Sequence, residues 1–268
     1  MREENMRKIQ FKCYGRSQIE EAELHITEDM VIWNGKEYKS HELALDIPTS
    51  GNIYGTLLNY KGALAALGNS VHELPYKQAP MAPILYIKPI NTMIARGMPI
   101  PLPSEERELE VGAALGIVIG KRATKVREEE ALTYIQGYTI VNDISIPHES
   151  VYRPAIKQKA RDGFCPVGPW VIEKGAIQNP NDVSIQVYVN GILRQENHTK
   201  NLIRPVERLI ADVTEFMTLY EGDILLVGVP ENPPLVKNGD RIRIEIEGIG
   251  SLENQVVLEK ELVRGGVR

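Results

Sequence analysis

Val183-Ser184-Ile185-Gln186-Val187-Tyr188-Val189, followed by Asn190-Gly191, is the stretch on which the fold class turns. Apolar and polar residues alternate through it with the two-residue period of a strand buried on one face. Asn-Gly then accepts the positive φ values of a tight hairpin turn. The texture recurs downstream, where Arg241 to Glu247 alternates isoleucine with charge, and Gly222-Asp223 and Gly239-Asp240 each introduce a β segment. Upstream, Ile84-Leu85-Tyr86-Ile87 before Lys88-Pro89, and Ala113 to Ile119 before Gly120, read as buried strands. Tyr138 to Val141 is a further apolar run. Helical composition is confined to Glu128–Tyr134 and helical spacing to Val206–Phe216. Strands outnumber helices, so the expected class is a mixed, β-rich α+β fold.

Residues 1–50 read as a small N-terminal β appendage, with a hairpin at Asn34-Gly35, and residues 51–268 as the main domain. The composition, 43% hydrophobic and 25% charged over 268 residues, suits a globular chain with a substantial core. A formal net charge of −5 argues against a general nucleic-acid binder. No apolar run is long enough for a membrane span, and the start lacks an apolar signal stretch, so a cytoplasmic protein is expected. With two cysteines, Cys13 and Cys165, neither a disulfide framework nor a cysteine metal site is expected.

Chemistry concentrates at Asn142-Asp143-Ile144-Ser145, followed by His148-Glu149 and by Arg153, Lys157, Lys159, Arg161 and Asp162. An aspartate ending a buried strand can ligate Mg²⁺, which prefers oxygen. Nearby Lys and Arg could hold a dicarboxylate. The same residues also suit a capped turn followed by a solvated basic surface. His148-Glu149 could form an acid/base pair only in a loop, because neighbours in a strand face opposite ways. Cys165 reads as a packed thiol. A phosphate loop and a nucleophile elbow are both missing from the sequence.

Ile117 to Lys121, Tyr134 to Tyr138 with Asn142-Asp143-Ile144-Ser145, and Lys159 to Trp170 resemble the fumarylacetoacetate hydrolase family. Val189-Asn190-Gly191, Phe216 to Leu219 and Glu247 to Gly250 follow in family order. Pro147 to Pro166 is most similar to the N-terminal half of the two-domain isomerase/decarboxylases of 4-hydroxyphenylacetate degradation. The resemblance implies a rolled β-sheet core with an N-terminal β appendage. It also implies decarboxylation of 5-oxopent-3-ene-1,2,5-tricarboxylate and isomerisation of 2-hydroxyhepta-2,4-diene-1,7-dioate. The implied substrate is a small dicarboxylate or 2-oxo acid, the implied cofactor Mg²⁺ or Mn²⁺, and the implied partner a homologous second subunit or a second copy. Carried onto this sequence, Asp143 is the metal ligand, Lys159 and Asp162 are catalytic, and Arg153, Arg161 and Asn142 bind substrate.

Several family positions differ here. The two carboxylates that complete the metal site fall on Gly112 and Ala114, and the lid histidine on Ala63. The Gly-Thr-Pro loop becomes Gly228-Val229-Pro230. Glu108 and Glu110 form a Glu-x-Glu four residues early, about 13 Å along a strand, so only a large bulge or loop could return them to the site. These departures imply a subunit with a degraded metal site, which in this chain could hold no metal. They leave two alternatives open: a non-catalytic scaffold for a metal-competent homologue, and a metal-independent hydrolase or isomerase.

Overall fold

Ala113–Ile119 forms the axis of the molecule, and every residue of this strand is buried. The computed structural model describes residues 6–148 and 155–264. On one side the axis pairs antiparallel with Ile135–Asn142, setting Ala113 opposite Asn142. On the other it pairs with Ile224–Leu226. Apolar residues on both faces of the central strands suit a sheet covered on both sides, in contrast to the alternating strands elsewhere.

Cys165–Glu173 continues the sheet beyond Ile135–Asn142. Met6–Cys13 pairs with it in turn, Ile9 lying opposite Ile172. The N-terminal strands Ile19–His25, Met30–Trp33 and Lys36–Lys39 follow as a meander, so they extend the main sheet directly. Asn34 and Gly35 take φ of 51° and 73°, as the hairpin reading requires. At the far flank Ile53–Leu57 runs parallel to Ile224–Leu226, and Ile84–Lys88 closes the path as an edge strand. The fully buried strand expected at Ile84–Ile87 is therefore corrected: Ile87 is 59% exposed on this edge strand, which pairs on one side only among the described residues.

Among the described residues this sheet has 12 strands, and a five-stranded sheet packs against it. The second sheet holds Ser184–Val189 and Arg241–Ile246, whose alternation buries Ile185, Val187, Ile242 and Ile244 on one face. Those side chains join Leu115, Ile117 and Ile140 in one core. Each fully buried branched side chain contributes about 1.5–3 kcal/mol of transfer free energy. Trp170 fastens the two sheets through its indole N–H, which donates to the Ile249 carbonyl at 2.8 Å. Val206–Phe216 is an amphipathic α-helix burying Leu209, Ile210 and Val213, whereas Glu128–Tyr134 is a 3₁₀-helix. Among the described residues no helix is long and apolar enough to cross a membrane.

Candidate active site

Strand Ile135–Asn142 delivers Asn142-Asp143 to the end of the sheet, where the segment before Ala113 crosses it. The Gly112 N–H donates to the Asn142 side-chain carbonyl at 3.1 Å, and the Asp143 N–H donates to the Gly112 carbonyl at 2.8 Å. Asn142 is thus a buried clamp on the backbone, with its side chain spent inside the protein. Gly112 is required by this approach: a Cβ there would stand 2.2 Å from the Asp143 carbonyl oxygen and 3.1 Å from the Asp143 Cβ. No side chain fits at position 112 on this backbone.

The Asp143 carboxylate is fully buried and faces two ammonium groups. Lys159 Nζ lies 2.9 Å from Oδ2, and the Tyr86 hydroxyl donates to the same oxygen. Lys88 Nζ lies 2.9 Å from Oδ1, while its well-directed hydrogen bonds go to the carbonyls of Ile144 at 3.2 Å and Lys159 at 2.7 Å. Lys88 comes from the last position of the edge strand, where the alternation that exposes Ile87 turns the next side chain inward. Tyr86 reaches the site across Gly55, where an added Cβ would lie 2.0 Å from the Tyr86 ring. Lys159 ends the one-turn helix Ile156–Lys159.

Burial alone would push the Asp143 carboxyl up, but Lys159 and Lys88, with the Tyr86 hydroxyl, override it and hold the group well below the usual carboxylate range. Burial, and then the Asp143 charge, drive the Tyr86 phenol well above its ordinary value. Cys165, behind the cluster, is pushed up to about 12 by burial, so it is a packed thiol as expected.

A cavity of about 160 Å³ opens above this floor, lined by Thr56, Tyr86, Glu110, Asp143, His148 and Lys159 among others. Val229, from the loop that replaces Gly-Thr-Pro, also lines it. Glu110 corrects the expectation that the shifted Glu-x-Glu lies out of reach. The chain leaves its strand at Val111-Gly112, and Leu109–Glu110 pairs instead with Leu235–Val236. Glu110 and Ser145 exchange backbone hydrogen bonds of 2.8 and 3.2 Å, which seats Glu110 at the cavity wall while Glu108 stays exposed.

Of the expected site residues, Asp143 and Lys159 meet in the cavity. Asp162 is exposed and accepts from the Asn91 amide at 2.7 Å, so the structure does not bring it to the cavity. Arg161 turns to Glu105 at 2.9 Å. Both follow from the chain turning outward after the short helix. Arg153, with Glu149, lies outside the described residues. Sequence reasoning missed Tyr86, Lys88 and Thr56 as site residues. Their only signal was a lysine and a tyrosine within an apolar run.

The cluster does not fit a divalent cation. Mg²⁺ and Mn²⁺ need several oxygen donors, whereas here both oxygens of the single buried carboxylate already face ammonium or phenol donors. The two ammonium groups beside Asp143 would also repel a dication. Among the described residues no group of three or more His, Cys, Asp or Glu side chains is placed to hold a metal.

Residues 52–257 match the family described as Fumarylacetoacetate (FAA) hydrolase C-terminal. The chain is 43% identical over 212 residues to the 4-hydroxyphenylacetate degradation bifunctional isomerase/decarboxylase of Escherichia coli, covering 79% of this chain and 48% of that protein. It therefore spans about half the length of that curated relative. A crystal structure of 2-hydroxyhepta-2,4-diene-1,7-dioate isomerase from Mycobacterium marinum superposes with a TM-score of 0.75 at 26% identity, covering 95% of this chain and 99% of that one. Maleylpyruvate hydrolase from Sphingobium sp. SYK-6, in complex with manganese(II) and pyruvate, superposes with a TM-score of 0.70 at 29% identity, covering 83% and 77% of the two chains.

Proposed function

The chain belongs to the fumarylacetoacetate hydrolase family, and from that premise we propose that it is a subunit of an isomerase/decarboxylase of 4-hydroxyphenylacetate degradation whose own metal site has been replaced. The reactions are decarboxylation of 5-oxopent-3-ene-1,2,5-tricarboxylate and isomerisation of 2-hydroxyhepta-2,4-diene-1,7-dioate. Each passes through a dienolate, whose negative charge rests on the oxo oxygen that is conjugated through a C=C bond to the carbon that loses CO₂ or exchanges a proton. In metal-dependent relatives of this chemistry a dication takes up that charge. Here Lys159, 13% exposed at the cavity floor, is the cation in position to receive it. The observation that carries the reading is this paired ammonium and carboxylate arrangement at Asp143, on a scaffold that matches such isomerases along its length.

A second reading is that the chain is a non-catalytic scaffold for a homologous, metal-competent chain. Ala63 in place of the lid histidine and Gly112 pressed against Asp143 favour it. An assay of the purified chain, with and without Mg²⁺ and with and without the homologous chain, separates the two. The subunit reading expects turnover by the isolated chain that Mg²⁺ does not change, and more on pairing. The scaffold reading expects turnover only from the partner. A tight, stoichiometric Mg²⁺ site seen by calorimetry and abolished by Asp143→Ala would overturn both.

A further inference from the structure

Three groups in the cavity are not used by the Asp143 cluster. Among the described residues the Thr56 hydroxyl has no hydrogen-bond partner, although the residue is only 2% exposed and lines the cavity. A buried hydroxyl left unpaired costs about 1–3 kcal/mol, a cost that a bound polar ligand removes. Among the described residues Glu110 has no hydrogen bond or ion pair from its carboxyl. His148 is oriented from behind: its Nδ1 lies 3.0 Å from the Ile146 carbonyl and 3.3 Å from the Ser145 hydroxyl. A carbonyl only accepts, so Nδ1 carries the proton in that contact and Nε2 is left as the basic nitrogen.

We propose that the cavity is a metal-independent proton-transfer site for a small 2-oxo acid, with His148 as base, Glu110 as acid and Lys159 holding the developing oxyanion. The substrate class rests on the reading under Proposed function; the assignment of acid and base does not. His148 Nε2 removes a proton from C3, and the C3–H electron pair becomes the C2–C3 double bond. The C2 carbonyl electrons move to oxygen, beside the Lys159 ammonium. Glu110 gives its proton to that oxygen and is recharged when the enol returns to the keto form. No oxidant or co-reactant is needed, because enolisation is a net isomerisation: one proton passes to His148, another comes from Glu110, and no electrons are gained or lost. The environments suit these roles. Burial raises the Glu110 carboxyl above its ordinary value, as suits a group that must give up a proton. The Thr56 hydroxyl is left to donate to the substrate carboxylate.

The test is hydrogen–deuterium exchange at C3 of 2-oxoglutarate and of pyruvate, followed by NMR in ²H₂O with the full chain and excess chelator. Wild type should accelerate exchange to the same extent with and without chelator. Glu110→Gln and His148→Asn should each lower the rate roughly 10²-fold or more. KM should stay within about threefold of wild type, as expected when groups acting in the transition state are removed. Exchange at the background rate, exchange abolished by chelator, or variants as fast as wild type would each overturn the assignment. Oxalate binding, read by calorimetry, keeps the two readings apart. Binding without exchange sinks the acid/base assignment and leaves the subunit reading standing, whereas absence of binding removes the substrate class taken from that reading.

Discussion

Asp143 and Asp223 are each 1% exposed, and each stands where a central strand meets a loop, yet their charges are handled in opposite ways. Asp223 is held by amides. It accepts from the Asn52 N–H at 2.7 Å, the Asn52 side-chain amide at 3.3 Å and the Tyr220 N–H at 2.8 Å. Most of those donors are backbone, fixed by the fold and spent once used. Asp143 is held by Lys88 and Lys159, which bring full charge, and by the neutral Tyr86 hydroxyl; Lys159 also has further donors facing a cavity. The first arrangement is a joint between strands 171 residues apart in sequence. The second is a charged floor that can still react.

The largest test of that contrast is Lys88→Met. It strips one cation from a fully buried pair and should cost about 3–5 kcal/mol in urea unfolding. Asp223→Asn keeps the shape and loses only charge-assisted amide contacts, for about 1–3 kcal/mol. If Asp223→Asn proved the more damaging, the distinction between joint and floor would collapse.

Ligand binding sharpens it next. Lys159 pairs with Asp143 at 2.9 Å but is partly exposed, so Lys159→Met should destabilise less than Lys88→Met. It should weaken oxalate binding by tenfold or more, since a close pair at an effective dielectric near 20 is worth on the order of 4 kcal/mol before desolvation. Asp223→Asn should leave calorimetric affinity unchanged. Equal affinities in wild type and Lys159→Met would remove the floor from any role in binding.

The smallest expected effects are in pH. Asp143 is depressed, so the native state binds fewer protons than the unfolded chain at acid pH. Its stabilisation is present above the ordinary value of 3.8 and is lost only as pH falls towards the lower folded value. Glu110 is raised, so the sign reverses: stability is fullest below the ordinary value of 4.5 and declines as pH rises through the folded value. Calorimetric melting of Glu110→Gln should match wild type near pH 4 and exceed it slightly at neutral pH. A variant curve parallel to wild type across that range would show that Glu110 is not strained by burial.

The legibility of the sequence follows the range of the interactions. Asn34-Gly35 and Asn190-Gly191 could be read because turn chemistry is local, and both adopt positive φ. The alternation in Arg241–Ile246 gave its buried face correctly for the same reason. Asp143 and Lys159, 16 residues apart, were visible as a polar cluster beside an apolar strand. Tyr86 was not, because it joins Asp143 from 57 residues away, on an edge strand whose inward positions only the sheet order reveals. Glu110 lies off the regular strand that its sequence suggests because the backbone changes partners at Val111-Gly112. Asp162 and Arg161 are near Lys159 in sequence, but a single outward turn of chain takes them to Asn91 and Glu105.

The indole of Trp170, fastened to Ile249 between the two sheets, has one counterpart in the chain, Trp33. Trp33 sits in the N-terminal meander, edge-on to Phe11 with ring centroids 5.4 Å apart. The molecule thus carries an intrinsic fluorophore on each side of the seam between Met6–Cys13 and Cys165–Glu173. Their emissions can be separated with single Trp→Phe variants. Coincident denaturation midpoints would mean that the seam transmits cooperativity, and divergent ones that the first fifty residues melt as a unit of their own.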